Sequence, residues 1–303
     1  MTPPATTPAA APQLAFQPAI LEPPPAAARF VSFALAGGAD PAAVLRALAA
    51  LEPDPKAVVG LGLPLVEGAG RKLAGLRAFP GDLPPFPSTQ RALWLYLAHV
   101  ERGRMFDVGR AFARRFAGAL EAVEEVDAFG YRGGRDLSGF EDGTANPVGD
   151  DAVRAAIIAG RGPGLDGGSF VAAQRWVHDL DAVDRMSVAA RSGAAGRDLE
   201  TNEELGDAPV SAHVKRTEQE SYDDPPGFIL RRSMPYGGIR EHGLNFVAFG
   251  ESLDRYERQL RRMAGRDDGV PDGLLSFTRA VSGAYYFCPP LAQGRYDLRA
   301  CGG

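Results

Sequence analysis

Apolar residues recur along this chain with two periods, one that suits strands and one that suits helices. The segment RFVSFALAGG from Arg29 is a β-prone apolar run that stops at two glycines, which predicts a strand. Asp40 and Pro41 then supply an N-cap and a first helical residue, and Val44, Leu45, Leu48 and Leu51 follow at helical spacing. AVVGLGLPLV from Ala57 and ALWLYLAHV from Ala92 read as buried strands around a Gly/Pro-rich loop. Met105, Val108, Phe112 and Phe116 stripe a second helix, and the stretch from Ala122 to Phe129 returns as a strand. The order is βαββαβ.

A similar order recurs in the second half. It contains a strand at SFVAAQRWVHDL, a helix over 181–190, and strands at GFILRRSMPYGG and GLNFVAFG. A helix on which Leu253, Tyr256, Leu260 and Met263 align follows, and then a closing strand, AVSGAYYFCPP. The pattern predicts an α+β fold of two tandem ferredoxin-like units, residues 17–150 and 151–303, behind a disordered Pro/Ala-rich leader over 1–16. A polar stretch, RSGAAGRDLETNEELGDAPVSAHVKRT, interrupts the second unit, and a long irregular insertion in a compact domain is more often functional than idle.

Composition narrows the function. With 303 residues, 45% of them hydrophobic, the chain can bury a large core. A net charge of -5 offers no basic face for nucleic acid. Only Cys288 and Cys301 are present, which suits a reducing compartment and excludes a cysteine metal cluster. No run of about 18 apolar residues and no signal peptide is seen, so a soluble cytoplasmic protein is expected.

The candidate chemistry starts at GFEDGTANP, residues 139–147, where two adjacent carboxylates sit in a segment that must turn. Asp142, Thr144 and Asn146 briefly imitate a calcium loop, but Pro147 replaces the turn glycine and Val153 stands where a bidentate Glu is needed. Among the four histidines, His99 reads as core, His178 as a structural residue with Asp179 as local partner, and His242 as a turn residue. His213 lies in the insertion behind small residues that would let a flat cofactor approach, and is a candidate metal ligand. In FILRRSMPYGG, strand alternation puts Arg231 and Ser233 on one face; the pair is either a solvated edge or a polar site.

These motifs together resemble the dye-decolorizing peroxidases. GFEDGTANP is similar to that family's G-x-x-D-G motif. QPAILEP, QRWVHDL, AHVKRT, RRSMPYGG, EHGLNFVAFG and LLSFTRAVSGAYYFCPP occur in the order of its bacterial B-type branch, over about Gln17 to Pro290. The resemblance implies a tandem ferredoxin-like fold binding one haem b per chain in the C-terminal half. It implies reduction of hydrogen peroxide to water at the expense of bulky organic reductants such as dyes and phenols. It makes His213 the proximal iron ligand and Asp142, Arg231 and Ser233 the catalytic groups of the peroxide side, with Glu141 an outward-facing bystander. Gly143, Thr144, Phe246 and Phe287 join Asp142 and Arg231 as cofactor contacts. Trp176, Tyr285 and Tyr286 are candidates for relaying electrons. Relatives commonly read LLDFT where this chain reads LLSFT, so Ser276 is expected either to accept the N–H of His213 or to be a surface residue, with another group such as a backbone carbonyl orienting His213. A homo-oligomer is expected, and the tail GRYDLRACGG lacks the hydrophobic extension that sends some relatives into encapsulin shells. Two other readings stay open: a haem-handling protein with incidental peroxidase activity, and a haem-free hydrolase using Glu141 and Asp142.

Overall fold

A computed structural model describes residues 15–222 and 226–302. The first half contains β1 (Ala27–Leu35), α1 (Pro41–Ala49), β2 (Ala57–Gly62), α2 (Leu63–Gly68), β3 (Leu93–Leu97), α3 (Arg102–Arg115) and β4 (Leu120–Phe129). After α4 (Gly149–Ala156) come β5 (Ser169–His178), α5 (Leu180–Arg185), α6 (Val188–Ala195), and α7 (His213–Arg216), a single turn. The chain continues through β6 (Leu230–Arg231), β7 (Met234–Gly237), β8 (His242–Gly250), α8 (Leu253–Met263), β9 (Thr278–Ala280) and β10 (Ala284–Cys288).

Each half makes the antiparallel sheet of a ferredoxin-like unit, in the orders β4-β1-β3-β2 and β7-β8-β5-β10. Edge pairing then joins them, β10 to β2 and β4 to β7, so the two sheets close into one barrel and protect each other's edges. The expected boundary at residue 150 falls in the first turn of α4.

Period-2 alternation decides what each strand residue does. Trp94, Tyr96, Val171, Val247, Phe249 and Tyr286 fill the barrel interior together with Ile20 and Ala156. Their neighbours Leu93, Leu95, Phe170, Trp176, Ala248 and Phe287 face outward and pack beneath the helices with Leu48, Phe112 and Leu260. The functional cavity lies on this outer face.

Four expectations need correction. The run from Ala57 is not one strand: Pro64 has no N–H to give a sheet and sits in the first turn of α2, while β2 ends at Gly62. A Cβ at Gly62 would lie 1.8 Å from the Arg91 carbonyl oxygen, so the chain can pass only as glycine. The helix expected over 181–190 is two, because Met186 is extended (φ -72°, ψ 141°) and Ser187 caps α6 by accepting from Ala190 N at 3.1 Å. The closing strand is likewise β9 and β10, with a break between them. Of the expected leader, residues 1–14 lie outside the described residues, and Ala15 and Phe16 are held: the Ala15 carbonyl accepts from Leu291 N at 2.8 Å and Phe16 packs on the barrel core. The arm is pinned next door by Gln17, whose buried amide donates to Val59 O and Pro289 O, each at 3.0 Å.

Candidate active site

Between the outer face of β5 and β8 and helices α7 and α8 lies a cavity of about 440 Å³, within the range of small-molecule and cofactor sites. Leu244, Phe246, Met263, Leu274 and Phe277 supply apolar wall, and Asp142, Thr144, His213 and Arg231 converge on it.

One wall is the loop GFEDGTANP with the end of β6. Gly139 (φ 103°) and Gly143 (φ 77°) take left-handed backbone that other residues rarely adopt, which folds the loop back under itself. Asp142 N donates to Gly134 O at 3.0 Å, and Gly143 N donates to the Asp142 carboxylate at 2.7 Å. That carboxylate stands 3.2 Å from Nη1 of Arg231, both side chains about one-fifth exposed. Arg231 reaches it because its register partner Ala248 belongs to the outer-face core, so its own side chain leaves the barrel on the cavity side. Glu141 pairs instead with Arg135 at 3.1 Å.

The other wall carries His213, the first residue of α7, behind the fully buried Ala212. Its Nδ1 is 2.7 Å from Oδ2 of Asp272, whose carboxylate is wholly buried. A carboxylate accepts, so Nδ1 carries the proton, and Nε2 is left with a free lone pair and no hydrogen bond among the described residues. The second Asp272 oxygen accepts from Leu274 N at 2.9 Å, fixing the carboxylate at the start of the Gly273–Ser276 turn. Of the two readings of Ser276, the surface one holds: its exposed hydroxyl donates to Gly273 O at 2.7 Å and does not meet His213, whose partner is the Asp272 carboxylate.

Three other expected contacts, Gly143, Ser233 and Phe287, are absent from the cavity wall; for Gly143, its neighbours Asp142 and Thr144 line the cavity instead. Ser233 keeps to the face of Arg231, since Arg231 pairs with Ala248 and Met234 with Asn245 in one unbroken register. Its Oγ, however, accepts from Val247 N at 3.3 Å, and Ser233 does not line the cavity. Phe287 faces outward, but it pairs with Leu61 and Phe170 at the far end of β5, where it is fully buried, whereas the cavity begins at Gln174. Of the aromatic candidates, Trp176 lines the cavity and Tyr285 and Tyr286 do not.

The remaining histidines have other neighbours, although His178 also lines the cavity. His99 sits 3.4 Å from Asp54, and His242 Nδ1 lies 3.1 Å from Gly238 O. His178 is bound to Asp136 (3.1 Å) and Thr278 (2.6 Å) rather than to Asp179, which caps α5. Burial alone would raise the pKa of Asp136, but the His178 hydrogen bond and charge, with the Ser138 hydroxyl and N–H, hold it below the ordinary carboxylate value. Reading the sequence missed Asp136 and Arg197 on the cavity wall and Asp272 behind His213. For Asp272 a signal existed, an Asp-Gly pair before an apolar run, which marks a cap.

The donor set suits a cofactor that brings its own metal ligands. No group of three or more His, Cys, Asp or Glu able to hold a metal ion exists among the described residues. A haem needs one axial imidazole, and His213 offers one with its other nitrogen already held by a carboxylate.

Comparison with known proteins agrees with this donor set. The model of the C-terminal part of Dyp-type peroxidases matches residues 133–293. The curated dye-decolorizing peroxidase of Mycolicibacterium paratuberculosis is 32% identical over 208 residues, 67% of this chain and 59% of that protein. That of Rhodococcus erythropolis is 31% identical over 250 residues, 77% of this chain and 71% of the relative. The structure of the DypB protein of Rhodococcus jostii RHA1 superposes with a TM-score of 0.83 at 31% identity, covering 92% of this chain and 97% of that one. A variant of the same Rhodococcus protein is described as a complex with haem. This chain belongs to the dye-decolorizing peroxidase family, a class of haem-dependent peroxidases.

Proposed function

We propose that this chain reduces hydrogen peroxide to water with a haem b held through Nε2 of His213, and takes the two electrons singly from bulky organic reductants such as dyes and phenols. The observation that carries the reading is the pairing of Asp142 with Arg231 on one cavity wall and of His213 with Asp272 on the other. The haem iron supplies the redox chemistry when bound, and the protein's part is positioning, proton movement and charge stabilisation. Asp142, beside the peroxide, takes the proton from one oxygen and returns it to the other, directly or through one water. Arg231 stabilises the negative charge that develops on the departing oxygen in a cavity with apolar walls, where such interactions are strong. Asp272 holds the His213 proton at Nδ1 and makes the imidazole the stronger donor. Thr144 and Phe246 would border the cofactor, and Trp176, in the cavity wall, is a candidate for passing electrons to it.

No helix among the described residues is long and apolar enough to cross a membrane. Two free, buried cysteines support a cytoplasmic site of action, and we extend the reading to a homo-oligomer. Stopped-flow mixing with peroxide at neutral pH tests the division of labour. Arg231→Leu should slow the haem spectral change by about a hundredfold or more, as loss of a fixed charge donor does, and more than Asp142→Asn. An Arg231→Leu rate equal to wild type would sink the assignment.

A further inference from the structure

We infer that Asn146 is the positioning residue of the peroxide-side pair, holding Arg231 by its backbone while Asp142, at the other end of the same turn, meets its guanidinium. The inference rests on the roles proposed above for Asp142 and Arg231.

The strand β6 ends the sheet, with β8 on one side only. Arg232 N donates to Val247 O across that ladder at 2.8 Å, so by alternation the N–H and C=O of Arg231 point to the unpaired edge. Asn146 fills that place. Its Oδ1 accepts from Arg231 N at 2.8 Å and its Nδ2 donates to Arg231 O at 3.0 Å, so one side-chain amide does the work of a missing neighbouring strand. Both partners are fixed, which also settles which end of the amide is oxygen.

The turn that carries Asn146 is short and tight. Asn146 N donates to Gly143 O at 3.0 Å, Gly143 N donates to the Asp142 carboxylate at 2.7 Å, and that carboxylate lies 3.2 Å from the Arg231 guanidinium. Asp142 and Asn146 therefore grip the same arginine from the two ends of one turn, and their spacing is set by the turn rather than by the sheet. Gly143 is part of the device, because a Cβ there would lie 2.9 Å from the Asn146 amide nitrogen, at a φ of 77° that already disfavours any side chain. The residue types follow from the geometry. Asp in place of Asn146 could still accept from the Arg231 N–H but could not donate to its carbonyl, and Leu could do neither.

The test uses the haem-loaded protein and four variants: Asn146→Ala, Asn146→Asp, Gly143→Ala and Arg231→Leu. Soret absorbance reports haem occupancy, hydrogen exchange of the Arg231 amide reports the clamp, and stopped-flow reports the second-order rate with peroxide. Asn146→Ala should keep haem, speed exchange at Arg231 by about tenfold or more, and lower the peroxide rate by about tenfold or more. The KM for a dye should stay within about twofold, because only the position of one charge has changed. Asn146→Asp should fall between wild type and Asn146→Ala, and Gly143→Ala should move in the same direction as Asn146→Ala. An Asn146→Ala protein with normal occupancy and faster exchange but a wild-type peroxide rate would overturn the inference, provided Arg231→Leu is slow. If Arg231→Leu is itself as fast as wild type, it is the role of Arg231 that has failed, and the inference falls with it.

Discussion

Asp272 shows how one side chain sets the electronic character of the site. Its buried carboxylate accepts a hydrogen bond from His213 Nδ1–H at 2.7 Å, and a negative partner makes the imidazole a stronger donor, which favours the more oxidised iron. Asp272→Asn should therefore raise the ferric/ferrous potential by about 60 mV or more, roughly tenfold in the one-electron equilibrium, while haem stays bound. Ser276→Asp should leave the potential unchanged, since the exposed Ser276 hydroxyl turns back to Gly273 O. Potentiometric titration of both variants checks the pair, and the reverse ranking would return the proximal contact to Ser276. At this scale the sequence was legible wherever a residue's role depends on its neighbours in the chain. Asp142 among its glycines and Arg231 on its strand face could be placed. Asp272 could not be paired with His213, 59 positions away, because only packing brings the two together. Phe287 was misplaced for a related reason: alternation gives the face of a strand, but not the position along it where a cavity begins.

Elements were easiest to read where one periodicity ran uninterrupted, as in α3, α8 and β8. They were misread where a single residue changed the rule, as Pro64 does by ending β2 and Ser187 by opening a new helix. Between elements, the tie that crosses the cavity edge runs from Asp136 in the glycine loop through His178 at the end of β5 to Thr278 in β9. It ties the peroxide-side loop to the segment that follows Asp272, which no local pattern announces. Because the folded Asp136 has its pKa below the unfolded value of about 3.9, its stabilisation is fully present above that value and is lost as pH falls through the lowered one. Asp136→Asn should thus destabilise the protein at pH 7 by about 1–3 kcal/mol, the scale for a hydrogen bond to a charged group. The gap should close as pH falls through that lowered pKa, where the wild-type carboxyl becomes protonated as well. Denaturant midpoints at neutral and acid pH measure this; a gap that persists in acid would show that the effect is not one of ionisation.

At the scale of the whole molecule, the two ferredoxin-like halves complete one barrel, and the cavity belongs to the outer face of the second. The tandem βαββαβ order was legible because each half repeats its own periodicities, whereas edge-to-edge closure depends on pairings such as Tyr286 with Gly62 that join the chain's ends. In the function proposed above, this cavity takes haem on His213. Haem titration of the purified protein, followed at the Soret band, tests it most directly across wild type, His213→Gly, His178→Ala and His242→Ala. Wild type, His178→Ala and His242→Ala should bind one haem per chain with the same spectrum, and His213→Gly should bind weakly with an altered spectrum that added imidazole restores. A His213→Gly protein with the wild-type spectrum and affinity, alongside a His178→Ala protein that has lost its haem, would contradict the account.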